Sequence, residues 1–333
     1  MVKTSVIIPT YNRAELLDDC LSSIVSQDYN DYEIVLVDDG STDGTSEVVD
    51  KFGEKVRYIR QNNTGVPGAL NRGVREARGE LIRFLASDDR LCPGALAKEA
   101  TFMDANPEVG LLYSQAWQID ETGAITDLRK PEFADDSYVR SGLDEIRDLL
   151  FWDHITCSTV VVRKSCFDEA GLFDETLRPF GEDWDMWMRI AKKHSVAYLA
   201  QPMASYLKHS GNISMTPDLA HMDHQRRKIL DDAFANPAVA EHCRDIRGRA
   251  YFMYHVDVAA MAYKSNEMGV ARRHLIAAAR TSPAQLVRPR GWAAAFLFGK
   301  TFIPTALLGR ARAAMKSMRR SSMRQTSDER SLT

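Results

Sequence analysis

Residues 3–90 alternate short apolar runs with stretches of helical period, and that alternation restricts the fold more than any other feature of the chain. Ser5-Val-Ile-Ile8 is apolar and closed by Pro9, and Glu33–Val37, Val56–Arg60 and Leu81–Leu85 are the runs that follow. Between them, Ala14–Gln27 carries Leu16, Leu17, Cys20, Leu21, Ile24 and Val25 at helical spacing, and Gly68–Ala77 reads as a helix. Gly40-Ser-Thr-Asp-Gly44 has turn chemistry, with Ser41 or Thr42 placed to cap a helix running on to Lys51. Strands and helices in this order join by right-handed crossovers into a mostly parallel α/β sheet. The loops after such strands lie on one edge, where open α/β sheets bind ligands.

Two of the runs end in paired carboxylates. Asp38-Asp39 closes Tyr32–Val37, and Asp88-Asp89 closes the stretch that begins at Glu80. Adjacent anions repel, so each pair needs a cation, a hydrogen-bond network or solvent to offset it. Two acid pairs at two strand ends point to a nucleotide and metal site.

A length of 333 residues suits one large domain or two ordinary ones, and a formal net charge of -3 argues against general nucleic-acid affinity. The charge is unevenly spread: no Asp or Glu occurs from Met268 to Ser327, while Arg and Lys recur. Cys20, Cys92, Cys157, Cys166 and Cys243 are odd in number, widely spaced and without a CxxC pair, which fits reduced thiols in a cytosolic protein. The chain enters a strand at once, so no secretory signal is expected, and no apolar run reaches the roughly 20 residues of a spanning helix. Further along, Pro93–Asn106 reads as helix, Val109–Asp120 as strand, Thr126–Ser141 as loop, Leu143–Phe151 as helix and Thr156–Val162 as strand. Gly181–Lys193 is helical, Val196–Ser205 is a strand, and helix predominates from Ala220, with a helical hairpin over Ala250–Pro283.

In order, these pieces resemble the family 2 glycosyltransferases. The matching elements are Val6-Ile-Ile-Pro-Thr-Tyr-Asn12, Ser26-Gln27, Glu33 to Asp43, Asn62-Asn-Thr-Gly65, Asn71-Arg-Gly73, Ala77-Arg-Gly79 and Ser87-Asp-Asp89. Gly171-Leu-Phe-Asp174, Glu182-Asp-Trp-Asp-Met-Trp-Met-Arg189 and Tyr206-Leu-Lys-His209 follow, so the resemblance covers about residues 3–215. It implies a GT-A fold, a Rossmann-like sheet flanked by helices, over residues 1–215. A helical subdomain at 216–287 and a basic amphipathic tail at 288–333 follow it.

The resemblance also implies an inverting hexosyltransferase that uses a nucleoside diphosphate sugar, a UDP-sugar first of all, and Mn2+ or Mg2+. The nucleotide-sugar would lie against Pro9, Thr10, Tyr11, Asn12 and Asp39, where a carboxylate accepts the uracil imide N–H and an aromatic ring faces the base. Asp88 and Asp89 fall at the metal-binding acid motif, with Asp89 as metal ligand, Asp88 on the ribose or sugar, and Ala86 where the commoner pattern has another Asp. His209 is the candidate distant ligand, Lys208 a phosphate contact, and Asn71 a structural or ribose contact. Asp183 would be the base that takes the acceptor proton, its pKa raised by Glu182 and Asp185. Glu182 would hold the acceptor or tune the pair, and Trp184 would stack on the acceptor sugar, while core packing is expected of Trp187.

Trp292–Met323 combines apolar residues with Lys300, Arg310, Arg312, Lys316, Arg319 and Arg320, the pattern of an interfacial helix. Peripheral membrane contact through 288–324 suits a glycan or lipid-linked acceptor at the inner face of the cell membrane. The rival classes are a nucleotidyltransferase and a non-catalytic sugar-binding protein. Pro9-Thr-Tyr-Asn-Arg13 is not the basic, Gly-rich loop of the first, and Asp39, Asp89 and Asp183 speak against the second.

Overall fold

The computed structural model describes residues 2–177, 181–212 and 219–301. Its first strand, β1 (Thr4–Thr10), is the centre of a parallel half-sheet. β1 pairs with β2 (Tyr32–Asp38) on one side and β4 (Leu81–Phe84) on the other, and β3 (Val56–Arg60) lies outside β2. Val6, Ile7 and Ile8 are fully buried, because helices cover both faces of the strand. On one face Val6, Ile8, Ile34 and Leu36 pack with Leu17, Leu21 and Ile24 of α1 (Ala14–Val25) and with Val48 and Val49 of α2 (Thr45–Asp50). On the other, Val35 and Val37 pack with Ala69 of α3 (Val66–Glu76). Each buried aliphatic side chain contributes about 1.5–3 kcal/mol. α2 starts later than the Ser41 and Thr42 caps imply; Asp43 instead accepts from Thr45 N at 3.1 Å.

β5 (Arg90–Leu91), α4 (Ala95–Ala105), β6 (Val109–Ile119), β7 (Ile125–Arg129), β8 (Tyr138–Arg140) and α5 (Gly142–Leu149) come next. β9 (Val161–Arg163), α6 (Cys166–Ala170), α7 (Glu182–Ala191), β10 (Ser195–Leu207), α8 (Leu219–Ala235) and α9 (Pro237–His242) complete the first unit. The sheet order is β3-β2-β1-β4-β9-β6-β10-β5, with β7 on β6 and β8 on β10. β6 and β10 are parallel, whereas β9, β5, β7 and β8 join antiparallel, so the α/β sheet is mixed. Two expectations change here. The 126–141 stretch is not all loop, since β7 and β8 pair at its ends. The 156–162 strand shortens, because Cys157–Thr159 forms a 3-10 turn in which Val160 N donates to Cys157 O at 3.0 Å.

The chain runs β1, β2, β3 outward and then returns to β4 on the far side of β1. The loops after β1 and β4 therefore diverge from a switch point, where such sheets take ligands. The chain divides into two compact units, the second starting at Ile246. Within the second, α10 (Arg247–Lys264) and α11 (Met268–Thr281) form the hairpin foreseen over Ala250–Pro283, followed by α12 (Pro289–Lys300). The part of the 288–324 tail beyond Thr301 lies outside the described residues.

Candidate active site

The end of β1 supplies a half-buried Pro9, a buried Thr10 and an exposed Tyr11 ring. The Thr10 hydroxyl is buried without a protein partner, an orphan that a bound group would satisfy. Asn12 adopts φ 52 and accepts from Thr42 N at 2.8 Å, while its own N–H donates to Ser41 Oγ at 2.9 Å. It thus ties the β1 loop to the β2 loop. Asp38 is consumed structurally, accepting from Ser41 N at 2.8 Å and from the Tyr58 hydroxyl at 2.5 Å. Asp39 accepts from Gln61 Nε2 at 2.8 Å, Thr64 N at 2.9 Å and Gly65 N at 2.8 Å. Its carboxylate closes the 61–65 loop over the end of β2. Gly40 makes that approach possible: its φ is +89, and a Cβ there would meet Asn63 N and Gln61 O at 3.3 Å.

Asn71 is buried and fully engaged. Its amide donates to Phe173 O at 3.0 Å and Glu175 Oε1 at 2.8 Å, and its oxygen accepts from Phe173 N at 2.8 Å. Of its two expected roles, the structure gives it the structural one.

The acid pair after β4 divides by burial. Asp88 has its side chain 14% exposed, and its Oδ2 lies 3.0 Å from His209 Nε2 and 4.0 Å from Arg13 Nε. Asp89 is 1% exposed and accepts from Leu207 N at 2.9 Å. Burial first, then the Asp88 charge, pushes Asp89 up to about 7. The chain beyond β10 thus folds back onto the acid pair: Leu207 holds Asp89, His209 holds Asp88, and exposed Lys208 lies between them in sequence. Arg13 completes this closure by donating to Gly211 O at 2.8 Å.

The second acid group stands at the start of α7. Gly181, at φ +86, turns the chain into the helix and sets Glu182 and Asp183 in the first turn. Asp183 Oδ1 accepts from Trp184 N at 2.8 Å. Glu182 is 8% exposed, and its Oε2 has no protein partner. A third carboxylate, Asp153, joins them from the loop after α5 and accepts from Ile155 N at 3.0 Å. Burial raises the pKa of Asp183, while burial and then the Asp183 charge hold Glu182 and Asp153 well above the usual range. Asp185 plays no part in this: it pairs with Arg189 at 2.7 Å.

Trp184 requires a correction. It is 7% exposed, and its indole N–H donates to Leu149 O at 2.9 Å. Arg226 lies over the ring at 5.7 Å, so at this burial Trp184 packs α7 against α5 and is not presented to an acceptor sugar. Trp187 is fully buried beside Phe84 and Phe173, as its spacing suggests.

Asp153 and Arg129 are the residues that sequence reasoning passed over. Arg129, on β7, stacks over the Tyr206 ring at 4.3 Å and donates to Thr156 Oγ1 at 3.3 Å. Its positive charge lowers the pKa of both Asp89 and Asp153, so it connects the two acid groups electrostatically. Neither residue sits in a recognisable motif, and Arg129 falls in a stretch without strand periodicity.

Comparison with known proteins places this geometry. The Glycosyl transferase family 2 profile matches residues 5–169. A PGL/p-HBAD biosynthesis glycosyltransferase of Mycobacterium tuberculosis is 32% identical over 214 residues, 62% of this chain and 77% of that protein. The chain belongs to glycosyltransferase family 2. An uncharacterized glycosyltransferase of Rickettsia typhi is 30% identical, and the match covers 58% of this chain and 60% of that relative's length. S. aureus TarS 1-349, solved with UDP-GlcNAc, superposes with a TM-score of 0.67 at 20% identity, over 90% of this chain and 89% of TarS 1-349. A Pyrobaculum calidifontis mannosyltransferase solved with GDP-Man and Mn2+ gives 0.53 at 19%, over 89% and 84%. The GT-A fold expected from the motifs is therefore the fold observed. Family membership also sets aside the nucleotidyltransferase reading.

A divalent ion in such an enzyme needs one or two protein carboxylates beside substrate phosphates and water. Among the described residues no three acidic, His or Cys groups form a complete metal cage. The Asp88-Asp89 strand end fits the smaller requirement, with Asp88 at its mouth. His209 fits less well: Gly211 N donates to its Nδ1 at 3.2 Å, which puts the ring proton on Nε2, facing Asp88. Ligation through Nε2 would need that proton moved to Nδ1 and the Gly211 contact given up.

The acids at the start of α7 also set a pH signature. Glu182 is held above its ordinary 4.5 in the folded chain, so the native state keeps a proton that the unfolded chain has released. Stability from this group is full below about pH 4.5 and is lost as pH rises through its folded value. Glu182→Gln is accordingly expected to raise Tm at pH 8 and to match the parent near pH 4, by calorimetry. A gain at pH 4 equal to that at pH 8 would contradict the burial argument.

Proposed function

We propose that this protein transfers a sugar, with inversion, from a nucleoside diphosphate sugar to a hydroxyl of a glycan or lipid-linked acceptor. The observation that carries the reading is the convergence of Glu182, Asp183 and Asp153, none of them ion-paired to a Lys or Arg among the described residues, linked through Arg129 to the Asp88-Asp89 strand end. A buried carboxylate with a raised pKa is a stronger base than an exposed one, and an acceptor hydroxyl needs such a base as its oxygen attacks the anomeric carbon. Asp183 takes that proton. Burial and the Asp183 charge hold Glu182 and Asp153 protonated beside it, so Asp183 is the member of the group that ionises and can act as the base.

On the donor side, Tyr11 offers a ring face and Thr10 an orphan hydroxyl for the nucleoside, framed by Pro9, Asn12 and the loop held by Asp39. Asp88 and Asp89, with the donor's phosphates, would hold Mn2+ or Mg2+, which neutralises charge on the leaving diphosphate. His209 orients Asp88, and Lys208 and Arg129 add positive charge beside the diphosphate. The UDP-GlcNAc bound by TarS and the Mn2+ in the archaeal mannosyltransferase support a UDP-sugar donor and a divalent ion. The mycobacterial relative's name, a PGL/p-HBAD biosynthesis glycosyltransferase, supports a biosynthetic transfer, which this reading sets at the inner face of the cell membrane. Contact there would run through the 288–324 segment. No helix among the described residues is long and apolar enough to cross a membrane.

Thermal-shift measurement with UDP-, GDP- and dTDP-sugars and Mn2+ tests the donor. A UDP-sugar at 100 times its Kd is expected to stabilise by about 2.7 kcal/mol. Equal shifts from all three nucleotides would remove the base preference, and none at all would remove the donor site.

A further inference from the structure

The second unit carries a feature that the transfer reaction does not use. α10, α11 and α12 enclose an apolar cavity of about 220 Å³, lined among others by Phe252, Leu275, Leu286 and Phe298. Of the exposed apolar side chains here, Ile276 at 42% and Leu286 at 36% line it, while Val287 at 75% and Phe296 at 65% are chain neighbours of the lining residues Leu286 and Ala295. Isolated exposed apolar residues are ordinary, but these four lie within 21 residues of chain.

The charge around the patch has one sign. Residues 268–301 contain six Arg and Lys and no Asp or Glu, within a chain whose net charge is -3. On α11, Arg273, Ile276 and Arg280 are three and four residues apart, so two exposed cations flank an exposed apolar side chain on one helix face. Exposed Arg288 follows Val287 directly. Apolar residues bordered by cations in a segment without acids match the boundary between acyl chains and anionic headgroups.

We propose that this face of the helical unit, centred on residues 273–298, docks on an anionic phospholipid surface, with Ile276, Val287 and Phe296 in the acyl boundary and Arg273, Arg280 and Arg288 on the headgroups. This rests on the membrane part of the reading above and moves its main contact into the α11–α12 region. The geometry favours lying in the interface, since none of these helices can span it.

The test is sedimentation of the full chain with phosphatidylglycerol/phosphatidylcholine vesicles, followed by hydrogen exchange with and without them. Binding is expected only with the anionic lipid and is expected to fall with salt. Arg273→Gln/Arg280→Gln should weaken it about 30-fold, at about 5-fold per cation. Val287→Asp/Phe296→Asp should weaken it by at least about 30-fold, with UDP-sugar binding kept as the check on folding. Vesicle-dependent protection should centre on 276–298. Protection confined to residues after 301 would overturn the proposal while leaving membrane attachment intact, and no vesicle binding at all would overturn both. Loss of a dimer in the Val287→Asp/Phe296→Asp variant, with lipid binding unchanged, would assign the face to a second copy instead.

Discussion

Asp183→Asn is expected to lower kcat about 10²–10⁴-fold, the usual contribution of a positioned base, while the KM for donor changes little. The substitution preserves shape: an Asn oxygen still accepts from Trp184 N, the contact Asp183 now makes at 2.8 Å. What it removes is the proton acceptor. It also removes a negative charge that holds Glu182 and Asp153 well above their ordinary range, so the variant should melt higher than the parent at pH 8. Lower activity with higher stability is a combination that mere misfolding cannot produce. Measured kcat within threefold of the parent would refute the assignment. Glu182→Gln is the companion, expected to keep a larger share of kcat than Asp183→Asn.

The largest expected loss of stability lies beneath the donor site. Arg83 is fully buried on β4, with Nε 3.3 Å from Glu99 Oε2 and Nη2 3.3 Å from Glu99 Oε1. Its Nη1 donates to Ser158 O at 2.5 Å and also to Phe84 O. Glu99→Ala leaves that guanidinium uncompensated in the core and should cost about 3–5 kcal/mol, or roughly 6–20 °C in Tm for a unit of this size. Arg83→Met/Glu99→Leu removes both charges and should recover most of the loss. Activity should not recover with it. Arg83 holds the 157–159 turn against β4, and Ser158 Oγ accepts from Ala86 N at 3.0 Å, two residues before Asp88. The double variant is therefore expected to melt near the parent yet show reduced kcat/KM for donor. Full activity in a stable double variant would show that the turn does not need Arg83.

The parallel half of the sheet was legible because its signals are local. Apolar runs, helical spacing and turn residues each act within a dozen residues, and crossover handedness then fixes which face each connecting helix covers. The second half was less so. β7 and β8 are short strands with exposed residues, and they exist because β6 and β10 offer them edges; nothing in 126–141 declares a strand by itself. Site residues divide the same way. Motif spacing marks Asp88, Asp89, Glu182 and Asp183, but Asp153 and Arg129 enter only through folding. Trp184 shows the opposite error: a helix-face position next to two acids suggests exposure, and only packing against α5 shows the indole to be enclosed.

The amino-acid order by itself determined the family, the α/β alternation, the two acid groups and the acid-free stretch after Met268. These are patterns of composition and short-range spacing, which survive without a folded chain. Tertiary structure decided what each carboxylate of the pairs is tied to. Asp38 is engaged by Ser41 and Tyr58 and Asp39 by the 61–65 loop, whereas Asp89 is buried with one oxygen on Leu207 N and Asp88 meets His209 at the mouth of the site. A side chain's charge is written in the sequence, but its burial and partners come from the fold, for Asp88 and Asp89 from residues 121 and 118 positions away in the chain, and they decide whether that charge can act.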